Sequence, residues 1–444
     1  MQKKFKLIPL CAALTLLGLH GAASAQTSTQ QALMQKLEQM SAEIDKLKAE
    51  VTQLKSAQNQ TDATAQRASQ TAAQAQTEAQ SAAASVAGTG LRAPGEPATV
   101  LTGYGEINYN HPTKNASATQ ADLRRAVIGI QHRFDDKTKF VGEFEWEHAV
   151  TSASDRGETE VEQAYIEHQL HPTLAVRGGL FLVPLGLLNE NHEPTAYYGV
   201  ERNFVETAII PSTWREGGAM LIGTTEQGLT WKAGVSTGFD LNKWDATSPD
   251  GKASPLGSVH QELQLAKARN LSLFGALDWR GVPGLLVGGG LFSGKAGQGL
   301  AANNPTVTVW DLHTRWTPGK WDLAAVYASG SISGAGPLNA AFAATDPTPI
   351  PSKFDGMYVQ AAYTLWSSGD YQLKPFARYE RFNTAKAFAA FPLGLERPAD
   401  PYERVATLGA SFYLSPSVVI KADYQRFAVN SLNNRFNLGL GWSF

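Results

Sequence analysis

The chain has 444 residues, with 38 Lys and Arg against 40 Asp and Glu and a formal net charge of −2. That balance offers no basic surface for nucleic acid and none for an anionic membrane face. With 18% charged residues and 41 glycines, it fits neither a disordered chain nor a highly charged helical protein.

Residues 1–25 read as a secretory leader. Lys3, Lys4 and Lys6 form a basic start, residues 7–19 are apolar, and Ala23-Ser24-Ala25 is a small-residue cleavage site. The single cysteine, Cys11, falls inside this leader, so the mature chain is expected to carry no thiol. No later run of 18 apolar residues predicts a spanning helix. Residues 26–87 predict a helix. Leu33, Leu37, Met40, Ile44, Leu47, Val51 and Leu54 are spaced 4-3-4-3-4-3, and an alanine-rich continuation runs from Ala65 to Val86. Such an a/d seam predicts a self-associating coiled coil rather than a helix laid on its own chain. Residues 88–98, beginning GTGLRAPGEP, read as a linker.

From Thr99 to Phe444 the pattern has period two. In KFVGEFEWEHAV, Phe140, Phe144 and Trp146 share one parity, and Lys139, Glu143, Glu145 and Glu147 share the other. LTWKAGVSTGF places Leu229, Trp231, Ala233, Val235 and Phe239 opposite Thr230, Lys232 and Ser236. SVVIKADYQRF sets Ile420, Ala422 and Tyr424 against Lys421, Asp423 and Gln425. The terminal RFNLGLGWSF puts Phe436, Leu438, Leu440, Trp442 and Phe444 on one face. Seven short turns, near 135–137, 171–173, 226–228, 281–283, 318–319, 368–370 and 415–416, separate the strands. Eight mostly longer connections lie between them, near 110–120, 151–158, 184–212, 240–261, 294–305, 331–353, 385–401 and 428–433. These fifteen connections join sixteen strands, with both ends on the short-turn side. A soluble sandwich has no reason for a strict short/long alternation, whereas a closed barrel in lipid satisfies every backbone group. The expected fold is therefore all-β: a 16-stranded antiparallel transmembrane β-barrel over residues 99–444, in the outer membrane of a Gram-negative bacterium. A periplasmic α-helical coiled coil precedes it.

LRRAVIGIQHRF (residues 123–134), EQAYIEHQL with LAVRGGLFLVPLGL (residues 162–188) and the terminal aromatic strand resemble the phosphate-selective porin O and P family. The resemblance covers the whole barrel zone. It implies a sixteen-stranded homotrimeric outer-membrane channel. It also implies that Phe436, Leu438, Leu440, Trp442 and Phe444 act as a signal to the barrel-assembly machinery.

Parity places Arg125, Arg133, Lys232, Arg315, Arg378 and Lys421 inward, together with Glu143, Glu145, Glu147, Asp311, Glu380 and Asp423. Six charges of each sign predict no strong anion trap. The 184–212 connection is too long and aromatic for a plain surface loop, and it is expected to fold into the lumen as the constriction. It carries Glu190, His192, Glu193, Glu201 and Arg202, with the three glutamates expected to oppose Arg125, Arg133 and Arg378. The strand aromatics mostly have lipid-facing parity. No Ser/His or Asp/His set gathers at one rim and no His pair has metal-ligand spacing, so neither an enzyme nor a metal site nor a cofactor is expected. Passive diffusion of small hydrophilic solutes and ions is the expected function, with an anion or phosphate preference as the resemblance's variant. A sugar-type porin, and a barrel tethered to peptidoglycan through the coiled coil, are the alternatives.

Overall fold

The computed structural model describes residues 40, 42–53, 55, 98–150, 157–299, 304–342, 346, 348–389 and 399–444. The expected leader, the expected linker up to residue 97, and the expected heptad seam at Leu33, Leu37 and from Leu54 onward lie outside them. In the N-terminal unit, residues 42–53 are helical, and the seam residues Met40, Ile44, Leu47 and Val51 are exposed.

Alternation of apolar and polar side chains makes each later segment a strand with two unlike faces. The strands are β1 (Thr99–Pro112), β2 (Gln120–Arg133), β3 (Thr138–Glu147), β4 (Thr159–His171), β5 (Leu174–Leu182), β6 (Arg215–Thr224), β7 (Leu229–Ser236) and β8 (Ser272–Val282). They continue as β9 (Leu285–Lys295), β10 (Thr306–Trp316), β11 (Trp321–Ser333), β12 (Pro351–Tyr363, prolonged past a break by Trp366–Ser368), β13 (Tyr371–Phe388), β14 (Glu403–Ser415), β15 (Val418–Phe427) and β16 (Arg435–Ser443). Each pairs antiparallel with its neighbours in sequence, and β1 pairs with β16, from Tyr104 opposite Ser443 to Pro112 opposite Arg435. The sheet is thus a closed sixteen-stranded barrel. Its short turns and longer connections fall where the alternation places them. The last residue completes the seam: Phe444 N–H donates to the Gly103 carbonyl at 2.8 Å, and Gly103 N–H returns the bond at 3.0 Å.

The outer face is apolar and exposed: Leu101, Ile128, Ile166, Leu273, Leu312, Leu408, Leu438 and Leu440 all stand on it. Trp279, Trp316, Trp321, Trp366 and Tyr371 cluster beside the short turns, and Tyr109, Trp146, Trp310, Tyr327, Tyr424 and Phe436 lie toward the long connections. The inner face carries buried polar side chains all round, among them Glu216 on β6, Asp311 and His313 on β10 and Asp355 on β12. Along β5–β12 the inward residues Phe181, Met220, Phe274, Phe292, Val309, Val326 and Phe354 join one apolar cluster. Three connections fill it from within. Val183, Leu185, Val205, Ile209 and Trp214 come from 183–214; Phe239, Leu241, Trp244, Leu256 and Val259 come from 237–271; and Ala335 and Ile350 come from 334–350. Trp214 sits 4.5 Å from Phe292 and 5.0 Å from Phe239, ring centre to ring centre. Most strand aromatics do face outward, but a sizeable inward set packs here. One expectation is corrected: Phe239 does not continue the outer face of β7, because that strand ends at Ser236 and the chain turns inward.

Candidate functional site

The 183–214 connection, here the inner loop, is shaped by its own side chains. Asn189 ties its two ends together. The Asn189 Nδ2 donates to the carbonyls of Val183 (2.7 Å) and Trp214 (2.8 Å), and its Oδ1 accepts from Trp214 N–H at 2.7 Å. The buried Glu206 accepts four hydrogen bonds, from Leu187 N–H (2.5 Å), Leu188 N–H (2.7 Å), Asn203 Nδ2 (2.8 Å) and the Tyr358 hydroxyl (3.0 Å). Gly186 makes the turn possible: its φ is +74°, and a Cβ there would lie 2.4 Å from Glu206 Oε1. At Gly290 on β9 the wall lacks a side chain, and the loop backbone at Pro184 passes close by.

The loop is then fastened to the inner wall from several sides. On β1 and β2, the Tyr197 hydroxyl donates to Glu106 Oε2 at 2.7 Å, and Arg125 donates to Glu106 Oε1 at 2.8 Å and to the His192 carbonyl at 2.6 Å. On β13, Arg378 donates to Glu380 at 2.8 Å and to the carbonyls of Tyr198 (3.0 Å) and Glu201 (3.3 Å), while Phe204 N–H donates to Glu380 at 2.6 Å. On β15, Asp423 accepts from Val200 N–H at 2.6 Å, and Lys421 is buried with its Nζ 3.7 Å from the centre of the Tyr197 ring. On β16, Thr195 and Ser443 share a hydroxyl contact at 3.2 Å.

These contacts distribute the charges differently from expectation. Arg125 and Arg378 are taken up by the wall carboxylates Glu106 and Glu380 and by loop carbonyls, because each guanidinium has several donors and the loop turns its backbone toward them. Arg133 lies half-buried at the short-turn end of β2. Glu190 pairs with Lys232, Glu201 accepts from Asn110 Nδ2 at 3.0 Å, and Arg202 donates to Ser212 (2.5 Å) and Thr213 (3.0 Å) within the loop. Glu193 is exposed and, with Glu143, Tyr104, Thr102 and Gln131, lines a cavity of about 220 Å³. Glu143 also accepts from Gln163.

His192 is buried where the loop meets β1 and β4. Its Nδ1 faces the Asn189 carbonyl at 2.9 Å, and its Nε2 meets the Tyr104 hydroxyl at 2.7 Å. That hydroxyl donates to Glu162 Oε2 at 2.8 Å. Burial alone would lower the imidazole pKa; the Glu162 carboxylate beside it outweighs burial and raises it. Glu145, expected on the wall, is indeed inward and buried, close to Glu160 and Glu162. Glu106, Tyr104, Tyr197, Glu206 and Glu162 were not foreseen as partners. The signal available for Glu162 was the row of alternate glutamates at 143, 145, 147 and 158, 160, 162.

No protein-family model matches the chain. Among solved structures, OmpF of Salmonella typhi in complex with daunomycin superposes with a TM-score of 0.54 at 15% identity, covering 78% of this chain and 97% of that one. The anion-selective porin from Comamonas acidovorans gives a TM-score of 0.49 at 12% identity, over 78% of this chain and 99% of that one. The fold shared with OmpF is the porin barrel. A protein of Aquifex aeolicus (strain VF5) described as uncharacterized is 30% identical over 355 residues, which are 78% of this chain and 79% of its own length. This chain and the Aquifex aeolicus protein belong to one family.

Proposed function

We propose that the chain is an outer-membrane diffusion channel for small hydrophilic solutes and ions. The observation that carries this reading is the inverted barrel. Exposed leucines and aromatics stand outside, paired charges stand inside, and the inner loop crosses the lumen between walls. Such a tube buries no apolar core on its outer surface, and only lipid matches that face. The apolar filling along β5–β12 narrows the path to the polar side, next to β1–β4.

The ionic preference we infer is for cations. Arg125, Arg378 and Lys421 are buried under the loop, whereas Glu190 and Glu193 are exposed and Glu143 lines the cavity. Charges that face the water set the local potential along a pore. This departs from the anion or phosphate variant. A homotrimer, recognition of the terminal strand by the assembly machinery, and a coiled coil reaching toward peptidoglycan belong to the same reading. It is supported by the barrel plan and the exposed helical seam at Met40, Ile44, Leu47 and Val51.

Planar-bilayer recording of the detergent-extracted chain tests the proposal. Discrete steps in KCl are expected, with a reversal potential that favours potassium across a salt gradient. Absence of conductance would overturn the channel. A block by maltodextrins would instead mark a sugar path.

A further inference from the structure

Glu145, Glu160 and Glu162 each bring a carboxylate oxygen within 4.8 Å of the other two. The register explains how. Glu145 on β3 lies directly opposite Glu160 on β4, and the ladder slips after Glu143/Phe144, so Glu162 is the extra residue of a bulge. A bulge of this kind re-aims a side chain, and here it adds a third carboxylate to the same patch of inner wall. Glu162 has 0% exposure. Its Oε2 accepts from Tyr104, but its Oε1 has no hydrogen-bond donor, with His192 Nε2 3.6 Å away. Of the neighbouring guanidiniums, Arg125 serves Glu106 and the His192 carbonyl, and Arg215 is shared between Glu160 and Glu262, so neither reaches Glu162. Facing like charges on adjacent strands repel, and a dry carboxylate oxygen without a hydrogen-bond donor is costly. A cation between them would remove both penalties.

We propose that Glu145, Glu160 and Glu162 bind one divalent hard cation, calcium, on the lumenal wall. An all-oxygen, all-carboxylate set suits calcium or magnesium over softer metals. Calcium accepts six to eight oxygens in flexible geometry, whereas magnesium demands a near-ideal octahedron, so a set fixed by two strands and a bulge suits calcium better. Water completes the coordination on the open side. The bound ion would lock β3 to β4 at the bulge and, through Glu162 and Tyr104, steady the His192 end of the inner loop.

Isothermal titration of the full-length, EDTA-stripped chain in detergent with calcium chloride tests this whether or not the barrel conducts. One saturable site per chain is expected, absent when potassium chloride replaces calcium at equal ionic strength. Glu145→Gln and Glu162→Gln should each weaken it at least about tenfold, since each removes a charged ligand. Glu226→Gln, in the β6–β7 turn, should leave it unchanged. Terbium provides a reading that needs no variant: Tyr104 lies beside Glu162, so bound terbium should show tyrosine-sensitised emission that calcium displaces. No saturable calcium heat up to millimolar concentration would overturn the proposal and mean that Glu145 and Glu162 share a proton instead. Binding that persists unaltered in both glutamine variants would overturn it as well.

Discussion

Glu206 presents two oxygens to four donors, two of them backbone N–H groups of the turn at Leu187 and Leu188. Replacing it by alanine leaves those donors without their acceptor, at about 1–3 kcal/mol for each that stays dry. Glu206→Ala should therefore lower the denaturant midpoint of the heat-modifiable barrel band markedly, and Gly186→Ala should do the same by pushing on Glu206 and straining a positive φ. Nothing in the local sequence distinguishes Glu206 from Glu190 or Glu193, because what sets it apart is its placement against Tyr358, which is distant in the chain. Glu262, in the 237–271 connection, supplies a pH dependence. Burial would raise its carboxyl, but His260 Nδ1 at 3.0 Å and Arg215 at 3.0 Å outweigh burial and hold it below the usual carboxylate range. A lowered folded pKa stabilises above the unfolded value of about 4.3, and the gain is lost as pH falls through the folded pKa. Protease cleavage in 237–271 should thus rise on acidification below about pH 4, and Glu262→Gln should flatten that dependence. An identical pH profile in the variant would refute the assignment.

At the scale of elements, strand parity was legible because the pleat imposes it. Ile420, Tyr424, Phe436, Leu438 and Leu440 point outward, and Lys421, Asp423 and Asn437 point inward, as alternation requires. The turns were legible for the same reason: short polar breaks in a period-two pattern leave few other solutions. The inner packing was not. Phe274 and Phe292 have inward parity, yet only the three-dimensional path of distant connections decides that Phe292 meets Trp214, with Phe274 stacked on Phe292, instead of water. Likewise the bulge at Glu162 changes parity without a proline or a glycine to announce it. The inner loop carries its own prediction. Converting Glu190, Glu193 and Glu201 to glutamine removes charges that face water or a single polar partner, and wet ion pairs contribute only about 0–1 kcal/mol each. Folding should persist, and the reversal potential in a KCl gradient should move toward anions. The shift should shrink at about 1 M salt, where the screening length falls to roughly 3 Å. An unchanged potential at low salt would place these residues away from the ion path.

At the scale of the whole molecule, the barrel closes without help from the N-terminal segment, since β1 and β16 meet directly. Removing residues 26–87 should leave a heat-modifiable, conducting barrel. Cross-linking of the full chain in detergent should give trimers; a ladder that stops at dimers would show that the helical seam, not the barrel, sets the assembly. Deleting Phe444 removes two backbone bonds at the seam and an exposed ring, a small part of a barrel this size. The yield in the outer membrane should fall further than the melting temperature of what does assemble. Equal yields would make the terminal residue lipid-facing filler only.

The inner loop touches both sides of that seam. Tyr197 and the His192 carbonyl reach β1 and β2, while Val200 and Thr195 reach β15 and β16. Joining the first strand to the last is the longest-range step in the chain, and long-range closures are the slow ones. A segment anchored on both edges is expected to shorten that search, holding the two seam strands near each other while the barrel closes. A chain whose loop cannot hold both edges would linger as an open sheet with two unpaired strands, the form most prone to aggregate.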